Sequence, residues 1–304
     1  MSSTGRPLPA ATKREPSLAR AQPAPRRFAS PAWRQFRRSK TAIAGLVIIG
    51  TFLALALLAP VIAPADPIAL SLGDQLLPPS GEHPLGTDEL GRDIFSRLIW
   101  GSRLTLLITT GAVLLALVSG AFLGIVAGFQ AGWLDTVIMR CIDVLLALPT
   151  FLLGVAVVAA LGPGTGNVIV AVGIGSMPAF ARVARGSTIS AKQEDYIMAA
   201  RSLGVPNGLI MWRHLLPNIA SALLVQTTLR LATAILTASG LSFLGLGPQP
   251  PTPEWGAMLS TGRNYLTSSP QLVTIPGLAI LLVTIGFNLL GDGLRDALDP
   301  RLKR

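Results

Sequence analysis

The sequence predicts an all-α polytopic membrane protein with six transmembrane helices. Half of the 304 residues are hydrophobic and only 13% are charged, and the mean hydropathy is +0.57. A soluble domain carries a more polar composition than this. Six long apolar stretches are separated by turns or polar loops. Most of them have about the twenty residues that cross a hydrocarbon core of roughly 30 Å.

The amino-terminal segment 1–40 is strongly basic. It holds ten Lys and Arg residues and a single acid, Glu15. Such an arm binds nucleic acid in some proteins, but directly before a span it more often fixes topology and contacts anionic lipid. We therefore predict a cytoplasmic arm, largely disordered up to about residue 33, that contacts membrane lipid and no nucleic acid.

The first predicted span, 41–63, leads into an extracytoplasmic loop or small subdomain at 64–103. Between residues 64 and 100 six acids stand against only Arg92 and Arg97. The contrast with the basic arm places the amino terminus inside the cell. Within the loop, Gly86-Thr87-Asp88 is predicted to begin a helix, with Thr87 or Asp88 as its cap.

The segment 104–293 is predicted to be a five-span core. Its spans are Leu104–Phe129, Leu134–Leu161, Asn167–Ala184, Ile219–Phe243 and Leu272–Leu290. Gly120, Gly124 and Gly128 recur at small-xxx-small spacing, which lets another helix approach closely. Pro149 predicts a kink in the third span. An extracytoplasmic loop at 245–271 and a basic cytoplasmic tail at 294–304 complete a topology with both termini cytoplasmic.

Polar residues inside the spans are candidates for a substrate pathway, since charge within the membrane faces protein or water. Arg230 lies near the middle of the fifth span with Gln226 close by, and Asn288 lies near the inner end of the sixth. Asp143 follows Arg140 by three residues, so these two either form a local ion pair or serve function. The candidate pathway residues are Asp143, Gln226, Arg230 and Asn288.

The cytoplasmic loop 186–217 is longer than a simple connection requires. Helix-forming residues run from Glu194 and Asp195 to Gly204, where a turn with positive φ is expected, and Pro206 follows. A second short helical piece then extends to Pro217. We predict two short helices that meet at an angle at the membrane surface.

This loop resembles the EAA motif of permease subunits in ABC importers. The resemblance rests on Ala199-Ala200-x3-Gly204, followed after eleven residues by Leu216-Pro217. Met198 stands where the motif has Glu, and His214 where it usually has Ile. By this resemblance the loop couples to an ATPase cleft. The residues it assigns to coupling are Glu194, Asp195, Ala199, Ala200, Arg201, Gly204, Leu216 and Pro217.

Four further blocks resemble the C-type permease of dipeptide, oligopeptide and nickel importers. They are HPLGTDELGRDIFSRLIWGSR (83–103), the run from Ala131 to Pro149, LSFLGLGPQPPTPEWGAML (241–259) and FNLLGDGLRDALDPRLKR (287–304). The resemblance implies the type I importer permease fold and transport of di- or oligopeptides by alternating access. Nickel chelates and glutathione-like molecules are alternative substrates.

The same resemblance implies partners in a bacterial cytoplasmic (inner) membrane. These are a B-type permease subunit forming a heterodimer, two ATPase subunits that bind ATP and Mg²⁺, and an extracytoplasmic substrate-binding protein. No cofactor is expected on this chain itself.

Residues for other chemistry are missing from the sequence. Its four lysines stand after Thr, Ser, Ala and Leu, so no Gly-Lys-Ser/Thr phosphate loop exists. One cysteine and two distant histidines provide no metal-ligand spacing. We therefore predict that this chain has no catalytic residue and no metal site, and that it is not an enzyme. An ion-coupled secondary transporter remains a rival reading, with Asp143 as its one candidate acid inside a span.

Overall fold

The structure is a computed structural model that describes residues 35–298. The part of the arm that is predicted to be disordered, up to about residue 33, lies outside this range, as do the final residues 299–304 of the tail. The described chain is mostly helical. Its helices are α1 (Lys40–Leu57), α2 (Ala59–Ile62), α3 (Ile94–Gln130), α4 (Gly132–Ala147), α5 (Thr150–Leu161), α6 (Thr165–Ala191), α7 (Asp195–Ser202), α8 (Asn207–Phe243), α9 (Trp255–Gly262) and α10 (Gln271–Leu298).

Five of these helices are long and apolar enough to cross a membrane, and the bent pair α4–α5 makes a sixth. One end of the bundle, here called the loop end, joins the α5–α6 turn to the α8–α9 loop through a hydrogen bond from Gly164 N to Leu246 O, 3.3 Å. The opposite end, called the coupling end, holds α7. Gln35 Nε2 donates to Asp296 O there at 2.9 Å. Both ends of the described chain therefore meet at the coupling end, as an even number of crossings requires.

The most extensive helix–helix contact in the bundle lies between α3 and α6. A Cβ atom built at Gly120 would stand 2.6 Å from Met177 O, and one at Gly128 would stand 2.8 Å from Arg185 O. At Gly124, between them, a Cβ atom would overlap the Ala181 carbonyl oxygen. The two backbones approach this closely only because the facing residues of α3 are glycines, which is the close packing that the sequence predicted.

The third predicted span is broken rather than kinked. Helices α4 and α5 meet at 93°, and the two residues between them, Leu148 and Pro149, are extended, with ψ of 135° and 129°. A proline pushes the residue before it out of the helical region and removes a backbone donor of its own. Two successive extended residues then turn the chain through a right angle.

The predicted helix entry at Gly86-Thr87-Asp88 is wrong. Helix α3 begins at Ile94, and its cap is Asp93, whose Oδ2 accepts from Ser96 N at 2.7 Å. Gly86 and Gly91 have φ of 81° and 73°, which no regular helix accommodates. Asp88 lies in the loop between them and accepts from Arg92 N at 2.9 Å.

Several helices extend beyond their predicted spans. Helix α6 continues to Ala191, and α10 continues through the segment assigned to the tail as far as Leu298. Apolar periodicity reports only the part of a helix that lies in the hydrocarbon core, so the polar ends of these helices were assigned to loops.

Candidate coupling segment and polar cavity

Helix α7, at the coupling end, is stopped by a Schellman motif. Gly204 N donates to Arg201 O at 2.9 Å, and Val205 N donates to Ala200 O at 3.1 Å. A helix end closed by this pair of bonds requires the left-handed conformation at the residue that donates the first of them, which is Gly204. Gly204 has φ of 73°, the positive value expected from the sequence. The local sequence therefore ends α7 at a defined residue and turns the chain sharply there.

One face of α7 is fixed to the end of α3. Ile197 is fully buried and Ala200 nearly so. The Arg201 guanidinium lies 5.0 Å from the centre of the Phe129 ring, and Lys192 Nζ donates to Phe129 O at 2.6 Å. Two cations thus hold a buried aromatic residue at the last turn of α3. Sequence reasoning missed Phe129 and Lys192, because nothing local to either residue shows that they meet.

The opposite face of α7 is uncovered. Leu203 is 83% exposed and Met198 is 52% exposed, and Asp195 and Ala199 are also exposed. Glu194 precedes the helix as its cap residue, without a side-chain capping bond. A short, rigidly held helix that presents two apolar side chains to solvent is suited to insertion into a groove of another protein.

The second half of the loop is not a separate helix, which corrects the prediction of two short helices. Helix α8 runs without interruption from Asn207 to Phe243, with a π-helical stretch at Ile210–Leu215. Leu216 N donates to Met211 O across this wider turn. Pro217 explains the widening, because its ring would clash with the carbonyl four residues earlier in a regular α-helix. Leu216 and Pro217 therefore lie within the helix of the fifth span.

The structure does not bring the four candidate pathway residues together in one site. Gln226 and Arg230 lie one turn apart and half-buried on α8, whereas Asn288 is exposed on α10. Within residues 35–298 no hydrogen bond links these three to one another. Asp143 pairs with Arg182 of α6, Oδ1 to Nη2 2.8 Å, and not with Arg140. The expected i,i+3 pair is wrong because α4 turns Asp143 toward α6.

A second ion pair joins the same two helices. Arg185 Nε and Nη2 each contact one carboxylate oxygen of Asp135 at 2.6 Å. The two arginines are three residues apart, about 4.5 Å along α6, while the two aspartates are eight apart, about 12 Å along α4. The two ion pairs therefore join α4 to α6 at two separate levels.

An open groove of about 600 Å³ lies between α6 and α8 and is here called the polar cavity, after the polar residues that make up part of its lining. It extends from Arg182 to the start of α7. Its polar lining residues are Arg182, Ser187, Ser190, Glu194, Asn218 and Ser221. Of the two arginines that pair with α4, only Arg182 borders the cavity. Sequence reasoning found neither the cavity nor Arg182's part in it, since both depend on how α4, α6 and α8 cross.

Buried charged residues connect the loops at the loop end. The Asp88 carboxylate accepts from Arg92 Nε at 2.7 Å and lies 3.3 Å from Arg97 Nε. Arg97 Nη1 also donates to Pro67 O at 2.8 Å and contacts Pro251 O at 3.4 Å. The loop before α3 is thereby tied to the loop before α9, so the two extended loops form one surface.

Glu254, the cap of α9, is buried at this end. Its Oε2 accepts from Ala257 N at 2.8 Å and its Oε1 accepts from Thr105 Oγ1 at 3.2 Å. Burial raises the pKa of this carboxyl above its ordinary value, although both hydrogen bonds act in the opposite direction.

We expect the substitution Glu254→Gln to flatten the pH dependence of stability. A raised pKa means that the folded chain holds a proton that the unfolded chain releases above about pH 4.3. The free energy of unfolding of the parent protein should therefore fall, relative to that of the variant, as pH rises through that region. Thermal unfolding of detergent-purified protein at a series of pH values measures this. A parent curve that rises relative to the variant would contradict it.

Two family models match the chain. One, described as a binding-protein-dependent transport system inner membrane component, matches residues 120–304. The other, described as the N-terminal TM domain of oligopeptide transport permease C, matches residues 28–79.

Curated relatives match across nearly the whole chain. A dipeptide transport system permease protein of Alkalihalophilus pseudofirmus is 46% identical over 90% of this chain and 90% of the relative. A glutathione transport system permease protein of Pectobacterium atrosepticum is 48% identical over 89% and 90%. A di/tripeptide transport system permease protein of Pseudomonas aeruginosa is 46% identical over 89% and 91%.

A solved structure shares the fold. A chain of the MetNI methionine ABC transporter, solved in inward-facing conformations, superimposes with a TM-score of 0.55 at 17% identity. The match covers 67% of this chain and 97% of that one. The helical bundle is therefore an ABC importer permease fold, and the chain belongs to the family of inner membrane components of binding-protein-dependent transport systems.

Proposed function

We propose that this chain is one of two permease subunits of an ATP-driven importer of di- or oligopeptides. Its bundle alternates between openings to the two sides of the membrane, and hydrolysis takes place on separate ATPase subunits, which bind ATP and Mg²⁺. The observation that carries the proposal is the position of helix α7. One face of α7 packs against a bundle with the importer-permease fold, and the opposite face is exposed to solvent.

Helix α7 supports the coupling role because it can transmit force. The Arg201 guanidinium over the Phe129 ring connects α7 to the end of α3, and Ile197 of α7 is buried in the apolar core. Lys192, just before α7, contacts the same ring. After Gly204 only two residues separate α7 from the start of α8. A push on the exposed Met198 and Leu203 would therefore reach two spans at once. Such a rigid connection lets an ATPase bias a two-state bundle. In this proposal Glu194, Asp195 and Ala199 contribute to the outer surface of the joint.

The other partners follow from the two ends of the bundle. We infer that an extracytoplasmic substrate-binding protein docks on the joined loops of the loop end, and that a B-type permease completes the pathway. Peptide is the proposed substrate because relatives from A. pseudofirmus and P. aeruginosa are named for peptide transport. A glutathione-like tripeptide is the second candidate, favoured by the relative of P. atrosepticum.

The experiment that tests this function is reconstitution. The chain, co-expressed with a B-type permease and ATPase subunits and placed in vesicles with a binding protein, should take up radiolabelled dialanine only when ATP is present. Labelled glutathione in the same vesicles separates the two substrates. Uptake driven by an ion gradient in the chain alone would favour a secondary transporter instead.

We further propose that the coupling end is cytoplasmic. In a Cys141→Ser background, a cysteine at Gln193 should be protected from a membrane-impermeant thiol reagent in intact cells, whereas one at Glu82 should react. Both positions are exposed in the described structure, so accessibility within the fold does not bias the comparison. External labelling of residue 193 but not of residue 82 would invert the topology.

A further inference from the structure

We propose that the Arg182–Asp143 pair is a binding subsite for the charged ends of a zwitterionic peptide as it leaves toward the coupling end. The inference rests on the proposed function. It assigns a contact to Arg182, which borders the polar cavity between α6 and α8, and to Asp143, which pairs with Arg182.

The depth of the pair in the bundle is the first step. Helix α6 has 27 residues and spans about 40 Å. Arg182 lies four residues past its midpoint, about 6 Å along the axis, and inside the apolar stretch 167–184 that the sequence predicts as the span. Charges at that depth do not face lipid. The pair must therefore face water or protein.

The exposure of the pair is the second step. The side chains of Arg182 and Asp143 are 56% and 48% exposed, against 36% and 17% for Arg185 and Asp135. Both pairs join α4 to α6, but in the single chain the Arg182–Asp143 pair is the more accessible of the two. The open pair is also the one whose arginine borders the cavity.

The cavity supplies the route. Its polar lining continues from Arg182 through Ser187 and Ser190 to Glu194, at the start of α7. Water can therefore reach the pair from the coupling end. A volume of about 600 Å³ accommodates an extended dipeptide, whose length is about 7 Å.

The chemistry of the pair fits a peptide. Near neutral pH a free peptide carries an ammonium group at one end and a carboxylate at the other. The Arg182 guanidinium can donate two parallel hydrogen bonds to the carboxylate, and the Asp143 carboxylate can accept from the ammonium. Exchange of the internal partner for the two ends of the peptide leaves no charge unpaired. The exchange is reversible, as a transport step requires.

The test is a charge reversal with a matched control, in the reconstituted transporter with all its partners. D143R/R182D restores an ion pair between α4 and α6 but reverses the order of charges along the cavity. D135R/R185D does the same at the second pair, away from the cavity. The measurements are co-purification of partners, binding-protein-stimulated ATP hydrolysis and uptake of radiolabelled dialanine.

We expect D143R/R182D to assemble and hydrolyse ATP, and to take up dialanine about tenfold more slowly or worse, equivalent to about 1.4 kcal/mol of lost contact. D135R/R185D should take it up within about twofold of the parent rate, a difference below 0.5 kcal/mol. If D143R/R182D took up dialanine at the parent rate, the pair would serve only to hold two helices together, and the proposal would be overturned.

A neutral variant covers the case in which the reversed pair fails to assemble. D143N/R182Q keeps side chains of similar size, and it should assemble while dialanine uptake still falls. If this variant also loses its partners, the pair is a structural or subunit contact and the proposal is wrong. Failure of the parent transporter itself to take up dialanine would instead refute the peptide function on which the subsite rests.

Discussion

The substitution Gly204→Val should abolish peptide uptake and the stimulation of ATP hydrolysis by loaded binding protein, while leaving the subunits assembled. A β-branched residue at the φ of 73° that Gly204 adopts carries a strain of about 1–3 kcal/mol. The chain relieves it by undoing the two hydrogen bonds that stop α7. The Met198 and Leu203 surface then loses its fixed orientation relative to α8.

A control at the same position separates strain from crowding. A Cβ atom at Gly204 would have no neighbour within 4 Å, so size alone is tolerated there. Asparagine enters the left-handed region far more readily than valine does. Gly204→Asn should therefore retain most of the coupled hydrolysis. Equal loss in the Val and Asn variants would contradict the backbone explanation, and full activity in Gly204→Val would contradict the coupling role.

The substitution Gly124→Ala should have the largest effect on folding. The added methyl group would overlap the Ala181 carbonyl oxygen and would stand 2.7 Å from the Ala184 Cβ atom. Both of these atoms belong to α6. Helices α3 and α6 would therefore have to separate along the most extensive contact in the bundle. Overpacking of this kind costs about 1–3 kcal/mol or more.

The matched control is Gly111→Ala on the same helix. A methyl group there would meet only the Ile169 side chain, at 3.4 Å from its Cδ1 atom, which is an ordinary contact. The yield of monodisperse protein after detergent extraction, and its thermal unfolding midpoint, measure both variants. We expect a large fall for Gly124→Ala and little change for Gly111→Ala. Similar behaviour of the two would refute the close packing of α3 on α6.

Much of the fold could be predicted because the membrane imposes simple constraints. Apolar length located the spans, the glycines of α3 marked a close contact, and Gly204 marked the end of α7 through its backbone requirement. The helix ends were placed less well, since polar residues extend α6 and α10 beyond the apolar stretch. The right angle at Leu148–Pro149 was underestimated, because one proline predicts only that a helix bends and not by how much.

The candidate site was predictable only where its signal is local. The residues of α7 lie together in sequence and were found together. Arg182 with Asp143, and Phe129 with Lys192, are brought together by helices that are distant in the chain. Arg140 was the nearest opposite charge to Asp143 in sequence, and it was the wrong partner, because the direction of α4 depends on the break that follows it.

The central claim is that the exposed face of α7 contacts an ATPase subunit, and photo-crosslinking tests it most directly. A photoreactive phenylalanine analogue would replace Leu203 in the assembled transporter, and Leu244, which is 52% exposed beyond the other end of α8, would serve as control. Mass spectrometry then identifies the captured chain. We predict that residue 203 captures an ATPase subunit and that residue 244 does not. An assembled, active transporter in which residue 203 captures only the other permease or lipid would contradict the claim.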